Sequence, residues 1–183
     1  MTSTPIVAAR TLRQSVIDQR LPQLLDTVKA GALCASRAPG IPEADDWYRG
    51  DKEPVLEWRR RKQALKAVCA ACPVWRECRE SALRQGEGST RHDQDMVRGG
   101  LAAKDLVAMR TAQSDRLEAA AEADRQSADE EHELQRLWRL LGTLTSGASD
   151  HGKANTSVNT RTRRTADQIQ AIQSDRRART RVA

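Results

Sequence analysis

Apolar residues recur at helical spacing in several stretches of the chain, and no stretch of useful length alternates apolar and polar residues as a half-buried strand would. Pro22 is expected to bend or split the first of these stretches, and Pro73 is well suited to the first position of the third. The pattern predicts four helices, at about residues 11–29, 55–68, 73–85 and 102–141. We therefore predict an all-α fold.

Segments rich in Gly, Pro and small polar residues separate these helices. The segment 86–100 closes on Gly99 and Gly100, and two adjacent glycines indicate positive φ angles or a close approach of the backbone to a neighbour. In the segment 142–160, 12 of 19 residues are Gly, Ser, Thr or Asn, which is typical of a linker. The chain is predicted to have five parts: an N-terminal helix at 1–31, a small central domain at 32–101, a long helical extension at 102–141, the linker at 142–160 and a flexible basic tail at 161–183.

Aromatic residues and cysteines are concentrated in the central part of the chain. Phe is absent, and three of the four Trp and all four Cys lie between residues 34 and 78. A unit of about 70 residues rarely stabilises itself by apolar burial alone and usually needs a metal, disulfides or a partner. No stretch has the apolar core of a signal peptide or the roughly 18 apolar residues of a membrane span. We therefore expect a cytoplasmic protein, whose closely spaced cysteines more often bind metal or do redox chemistry than form structural disulfides.

The formal charge of +6 is concentrated at the C-terminal end, where residues 161–183 hold seven Arg and two Asp. Such a segment can neutralise phosphates and supply sequence-independent affinity for DNA that falls with salt. The arginines predicted to contact DNA are Arg161, Arg163, Arg164, Arg176, Arg177, Arg179 and Arg181. The alternative is a disordered basic end without a dedicated partner.

The four cysteines follow the spacing C-x34-C-x2-C-x5-C, at Cys34, Cys69, Cys72 and Cys78. Four thiolates can complete an iron-sulfur cluster or a tetrahedral zinc site. Cys69 falls at the end of the second predicted helix, and Pro73 puts Cys72 at the break before the third, so both can face one metal. Zinc ribbons usually have two close pairs and this chain has one, which favours a cluster without excluding zinc. A redox dithiol at Cys69 and Cys72 is a third alternative, although it lacks the βαβ context of thioredoxin.

Short segments around the cysteines and at the glycine turn carry a family resemblance: Ala32-Leu33-Cys34, Ala67-Val68-Cys69-Ala70-Ala71-Cys72-Pro73-Val74, Glu77-Cys78, Ser81-Ala82-Leu83 and Val97-Arg98-Gly99-Gly100-Leu101. Through them, residues 32–101 resemble the WhiB-like family of iron-sulfur transcription regulators from actinobacteria and their phages. The resemblance implies one [4Fe-4S] cluster per chain, bound by Cys34, Cys69, Cys72 and Cys78 and sensitive to oxygen or nitric oxide. It also implies binding to the C-terminal region of the primary sigma factor in RNA polymerase holoenzyme.

The glycine turn departs from the family's pattern at one position. The family's turn usually reads Gly, Val or Ile, Trp, Gly, Gly, and in this chain Arg98 stands where the Trp is expected. In the family that Trp packs at the sigma-factor interface, and Arg cannot supply the same apolar contact. The resemblance predicts sigma-factor contacts at Trp47, Tyr48, Arg98, Gly99 and Gly100, with shielding of the cluster as the alternative role of Trp47.

Together these observations predict a transcription regulator without enzymatic activity, since no nucleophile elbow, phosphate-binding loop or paired carboxylates are recognisable. The cluster domain would dock on a sigma factor while the tail touches promoter DNA. A cluster with four thiolates is net negative, so Arg37, Arg76 and Arg79 are candidate supporting donors. A structural zinc module and a thiol-disulfide oxidoreductase using Cys69 and Cys72 remain the alternative functions.

Overall fold

The computed structural model describes residues 16–36, 40–91, 94–148 and 156–182. Within these ranges the fold is mostly helical with one tiny sheet, which confirms the predicted all-α class. The chain divides into two compact units, one up to Ala123 and one from Asp124 onward. No helix of the described ranges is long and apolar enough to cross a membrane.

Residues 16–18 are helical, and five longer helices lie wholly or partly among the described residues of the first unit. They are α1 (Leu21–Gly31), α2 (Val55–Ala71), α3 (Trp75–Arg84), α4 (Ala103–Ala112) and the beginning of α5 (Ser114–Ala148). Two short 3-10 turns, Leu33–Ala35 and Ala44–Trp47, lie in the loop between α1 and α2. The extension predicted as one helix from residue 102 is broken at Gln113, whose φ of −125° and ψ of 23° are not helical.

A β-hairpin that the sequence pattern did not predict follows α3. Strands β1 (Val97–Arg98) and β2 (Leu101–Ala102) pair antiparallel, with Val97 opposite Ala102. The two residues between them, Gly99 and Gly100, have φ angles of +54° and +77°. Two consecutive positive φ angles are the requirement of the type I′ hairpin turn, which glycine meets without strain. The strands escaped prediction because two residues are too few to show an alternating pattern.

Two small apolar clusters form the core of this unit. Trp47, Trp58, Leu65, Cys69 and Val97 make the first, which joins the 3-10 turn, α2 and the hairpin. The second is made of Ala82, Leu83, Leu106 and Leu117, from α3, α4 and α5. Val97 of β1 belongs to the first cluster and Leu101 of β2 packs against the second, so both clusters hold the hairpin.

The N-terminal helix is anchored on α3 through both apolar and polar contacts. The described part of the predicted first helix is interrupted just before Pro22, where α1 begins. Leu24 is fully buried. Arg84 donates hydrogen bonds to the carbonyl oxygens of Gln19 (2.8 Å) and Ile17 (2.5 Å). These bonds hold residues 16–20 against α3.

The second unit is a helical hairpin, and the segment predicted as a basic tail lies in one of its two helices. Helix α6 (Thr156–Val182) contains nearly all of the predicted tail, and α5 continues to Ala148 inside the predicted linker. Ile169 and Ile172 of α6 pack on Leu134, Leu137 and Leu141 of α5. These two apolar stripes occur at helical spacing on separate segments, and burying them against each other stabilises both helices. The residues between the two helices, 149–155, lie outside the described ranges.

Candidate metal centre

The four cysteine side chains line one small cavity in the first unit. They reach it from separate places in the chain: the 3-10 turn holds Cys34, the last turn of α2 holds Cys69, the residue after that helix is Cys72, and the first turns of α3 hold Cys78. All four are free thiols. Cys34, separated from Cys69 by 34 residues, lies in the lining of the same cavity as the other three cysteines.

The bend between α2 and α3 positions three of the thiols. The helix ends as predicted near Cys69, and the N–H of Cys72 donates to the carbonyl oxygen of Cys69 at 3.1 Å. Helix α3 begins at Trp75, two residues later than predicted, with Val74 as its N-cap. The N–H of Cys78 then donates to the carbonyl oxygen of Val74 at 3.0 Å. The short break therefore turns both helix ends toward the same cavity.

Aromatic and aliphatic side chains close the walls of the cavity. Its lining includes Trp47, Val68, Trp75 and Gly99 beside the cysteines. Trp47 is 8% exposed and belongs to the core cluster that also contains Cys69. Of the two roles considered for Trp47, this placement favours shielding of the cysteine site over contact with a partner.

Burial is the largest cause of the raised pKa of two of the thiols, Cys69 and Cys34. Burial raises the pKa of the Cys69 thiol to about 11, against the hydrogen bond from the backbone of Gly100 that lowers it, and the neighbouring thiols Cys78, Cys34 and Cys72 raise it further. Partial burial of the sulfur also raises the pKa of Cys34. The charges of Cys72 and Cys78 help to raise the pKa of both Cys34 and Cys69, so the four thiols are close enough to interact electrostatically, as around a shared metal or cluster. Among the described residues, no three His, Cys, Asp or Glu side chains are spaced to hold a single metal ion.

The glycine turn covers the cavity by lying directly against α3. A Cβ atom built on Gly99 would lie 2.6 Å from Cα and 2.7 Å from N of Arg79, which follows Cys78. The Nε atom of Arg79 donates a 3.0 Å hydrogen bond to the carbonyl oxygen of Gly99. A Cβ atom on Gly100 would lie 3.7 Å from Cβ of Cys69. The glycines are thus needed both for positive φ and for close approach to the two helices that carry the thiols.

Arg98 reaches the cysteines, a role that the sequence did not suggest. Its guanidinium hydrogen-bonds the side chain of Cys78, forms an ion pair with Glu87 and donates to Oε1 of Gln85 at 3.3 Å. Burial would lower the pKa of Arg98, but the charges of Glu87 and Cys78 raise it above its usual value. Of the donors expected near the cysteines, Arg76 and Arg79 stack over Trp75, with guanidinium carbons 5.2 and 4.5 Å from the ring centre. Arg37 lies outside the described ranges.

The predicted sigma-factor contacts differ in exposure. Tyr48 is 55% exposed, whereas Gly99 is buried and Arg98 and Gly100 are partly buried. The backbone of Tyr48 is fixed by a β-bridge to Met96 and by a 2.9 Å hydrogen bond from Arg61 to its carbonyl oxygen. Two further exposed apolar side chains, Val55 and Leu56, begin α2 a few residues later.

The arginines predicted to contact DNA lie on α6 and fall into two groups, those paired with acidic residues of α5 and those without such a pair among the described residues. Arg176 pairs with Glu130 and Glu131 of α5, both at 3.1 Å, and Arg179 pairs with Glu130 at 2.5 Å. The side chains of Arg161, Arg163, Arg164 and Arg177 are exposed. The side chain of Arg181 lies outside the described residues.

Comparison with known proteins identifies one part of the chain. Residues 29–105 match the family model described as Whib: Transcription factor WhiB. This segment contains all four cysteines, both core clusters except Leu106 and Leu117, and the complete hairpin. No curated protein and no solved structure matches the chain.

Proposed function

Residues 29–105 belong to the WhiB family of transcription factors, and from this premise we propose that the chain regulates transcription through one [4Fe-4S] cluster bound by Cys34, Cys69, Cys72 and Cys78. The observation that carries the proposal is the meeting of all four thiols at a single cavity. Four thiolates are the ligand set that holds such clusters in proteins. The cluster would add a site that responds to oxygen or nitric oxide, and the chain's own residues would convert its loss into a change of shape.

The cavity's surroundings support a cluster over the alternative of a catalytic dithiol. A reactive thiol needs a lowered pKa and an accessible sulfur. Cys69 is buried, and its pKa is raised to about 11. The N–H of Gly100 and the guanidinium of Arg98 instead supply donors to two of the sulfurs, as expected around a negatively charged group.

The proposed docking surface for the C-terminal region of a sigma factor consists of Tyr48, Val55 and Leu56. Exposed aromatic side chains on a fixed backbone are effective anchors at interfaces. Tyr48 follows Trp47, which lines the cysteine cavity, and its bridge partner Met96 precedes the hairpin. Loss of the cluster would remove support from Trp47 and the hairpin together, and the docking surface would lose its shape.

The proposed contact with promoter DNA lies on α6. Exposed arginines at Arg161, Arg163, Arg164 and Arg177 can neutralise phosphates. Arg176 and Arg179 have a different role, because Glu130 and Glu131 already neutralise them and join the two helices. DNA contact by α6 would add affinity near the promoter without reading sequence.

Binding of the full chain to an immobilised sigma-factor C-terminal region, measured anaerobically beside iron content, tests the proposal. Cys72→Ser is expected to lower both iron content and sigma binding, and Tyr48→Ala to lower sigma binding while iron content stays at the wild-type level. Trp138→Ala is the control, because Trp138 is also an exposed aromatic but lies on the second unit. Retained sigma binding by iron-free Cys72→Ser protein would break the link between cluster and docking.

A further inference from the structure

Arg98 occupies a position between an acidic side chain and the cysteine site. It is the last residue of β1, directly before the glycine turn whose backbone lies on Arg79. The next residue, Gly99, lines the cysteine cavity, and the guanidinium of Arg98 pairs with Glu87 on one side and lies beside the Cys78 side chain on the other.

We propose that Arg98, held in place by Glu87, is a positioning residue that sets the reduction potential of the group bound at the four cysteines. The inference rests on the proposed function, since it concerns the cluster at that site. It goes beyond ligation, because Arg98 is not a ligand and acts through a hydrogen bond and a charge.

The physical basis is the charge that the site must accommodate on reduction. A cluster held by four thiolates is net negative, and one further electron makes it more so. Hydrogen bonds to the sulfurs and nearby positive charge stabilise the reduced state and raise the potential. Burial strengthens this effect, because water screens a partly buried charge less than an exposed one.

Glu87 limits the effect of Arg98 and fixes its geometry. The planar guanidinium offers several N–H donors in a rigid fork, so it can bind a carboxylate and a sulfur at once. The carboxylate of Glu87 neutralises part of the positive charge that the cluster experiences. The Trp that the resembling turn usually carries has a single N–H donor and no charge, so it could not provide this pairing.

The test is a redox titration of the full chain purified anaerobically, followed by absorbance near 400 nm. Arg98→Gln is expected to lower the midpoint potential, with roughly a tenfold change in the one-electron equilibrium constant, or about 59 mV. Glu87→Gln is expected to raise it, because it leaves the charge of Arg98 uncompensated. Arg98→Lys should restore part of the loss, and Arg59→Gln, at an exposed position on α2, should leave the potential unchanged.

The opposite signs separate an electrostatic role from a structural one. If the substitutions only loosened the hairpin, the midpoint potentials of Arg98→Gln and Glu87→Gln would shift in the same direction, and that result would overturn the inference. A midpoint potential of Arg98→Gln equal to that of wild type would also overturn it. If Arg98→Gln loses the cluster, the midpoint potentials of Glu87→Gln and Arg98→Lys are compared with wild type instead. A higher potential in Glu87→Gln is then the expected result, and an unchanged or lower one would overturn the inference. Wild-type protein without iron and sulfide would instead contradict the proposed function.

Discussion

The Nε atom of Arg79 donates to the carbonyl oxygen of Gly99, and no side chain fits between the turn at Gly99 and the backbone of Arg79. Because Arg79 follows Cys78, this contact joins the hairpin to one of the four cysteines. The hairpin then brings Arg98 to Cys78 and the N–H of Gly100 to Cys69. The close approach of the Gly99 backbone to the Arg79 backbone therefore places the hairpin over the cysteine site.

Gly99→Ala should displace this cover. The substitution adds strain of about 1–3 kcal/mol from the positive φ alone, and the new Cβ overlaps α3. We expect lower iron content after anaerobic purification and faster bleaching of the cluster in air. Gly142→Ala is the matched control, since nothing lies within 4 Å of its added Cβ, and it should retain iron. Equal iron content in both variants would show that the turn does not support the site.

Asp95→Asn should destabilise the first unit by about 1–3 kcal/mol at pH 7, because hydrogen bonds to a charged group contribute about that much. The carboxylate accepts 2.7 Å bonds from Trp58 and Lys62 and a 3.3 Å bond from the N–H of Ala103. The measurement is denaturant unfolding followed by circular dichroism. Asp51→Asn, in an exposed turn, should change stability by less than about 0.5 kcal/mol.

The stability gained from Asp95 should also depend on pH. Burial would raise the pKa of Asp95, but its hydrogen bonds from Lys62 and Trp58 outweigh burial and lower it. A lowered folded-state pKa means that the stabilisation is present above the unfolded pKa, about 3.9, and is lost as pH falls through the folded value. The stability difference between wild type and Asp95→Asn should therefore shrink below about pH 4. A difference that stays constant there would contradict this assignment.

Leu137→Ala should unfold the hairpin of α5 and α6. Leu137 is 1% exposed and packs with Ile169, so its truncation costs about 2–5 kcal/mol in a unit with few other apolar contacts. Hydrogen exchange at residues 156–182 should accelerate strongly. Trp138→Ala, on the adjacent exposed position, should leave exchange near wild type. Unchanged protection in Leu137→Ala would show that α6 does not depend on this packing, whereas unprotected amides at residues 156–182 in wild type would support a flexible tail.

The two groups of arginines on α6 should differ in their effect on DNA binding. Changing Arg161, Arg163 and Arg164 together to Gln should reduce the slope of log affinity against log salt by about 2–3. Changing Arg176 and Arg179 to Gln should alter this slope less and lower the stability of the hairpin, because both are paired with Glu130. Fluorescence anisotropy with a DNA duplex at several salt concentrations measures both slopes. Equal slopes for the two variants would contradict the distinction between arginines that contact DNA and arginines that join the two helices.

Local sequence signals predicted the helix break at the cysteines and the glycine turn, which depend on neighbouring residues. Pro73 and the C-x2-C spacing indicated the helix break that turns Cys69 and Cys72 together, because a proline limits the helix before it. The Gly-Gly pair indicated positive φ, and read as a two-residue hairpin loop it would also have predicted β1 and β2. Family resemblance added the ligand set, which spacing alone left open between cluster and zinc.

The parts that sequence could not predict depend on contacts between distant residues. Arg98 became a neighbour of Cys78 only once the turn was placed on α3, and no spacing rule links residues 78, 87 and 98. Helix α6 has a long polar surface and few apolar residues, and its order depends on Leu134 and Leu137 of another helix. Composition therefore indicates the basic character of this segment but not the helix that the structure has there.

Assay of iron, sulfide and zinc on one anaerobically purified sample of the full chain, with its absorption spectrum, tests the account most directly. About four irons and four sulfides per chain, with a broad band near 400 nm, are expected for a cluster on Cys34, Cys69, Cys72 and Cys78. Single Ser variants of these cysteines should each lose most of the iron. One zinc per chain and no iron, in protein from iron-replete cells, would contradict the cluster and leave a zinc-stabilised binding module as the better account.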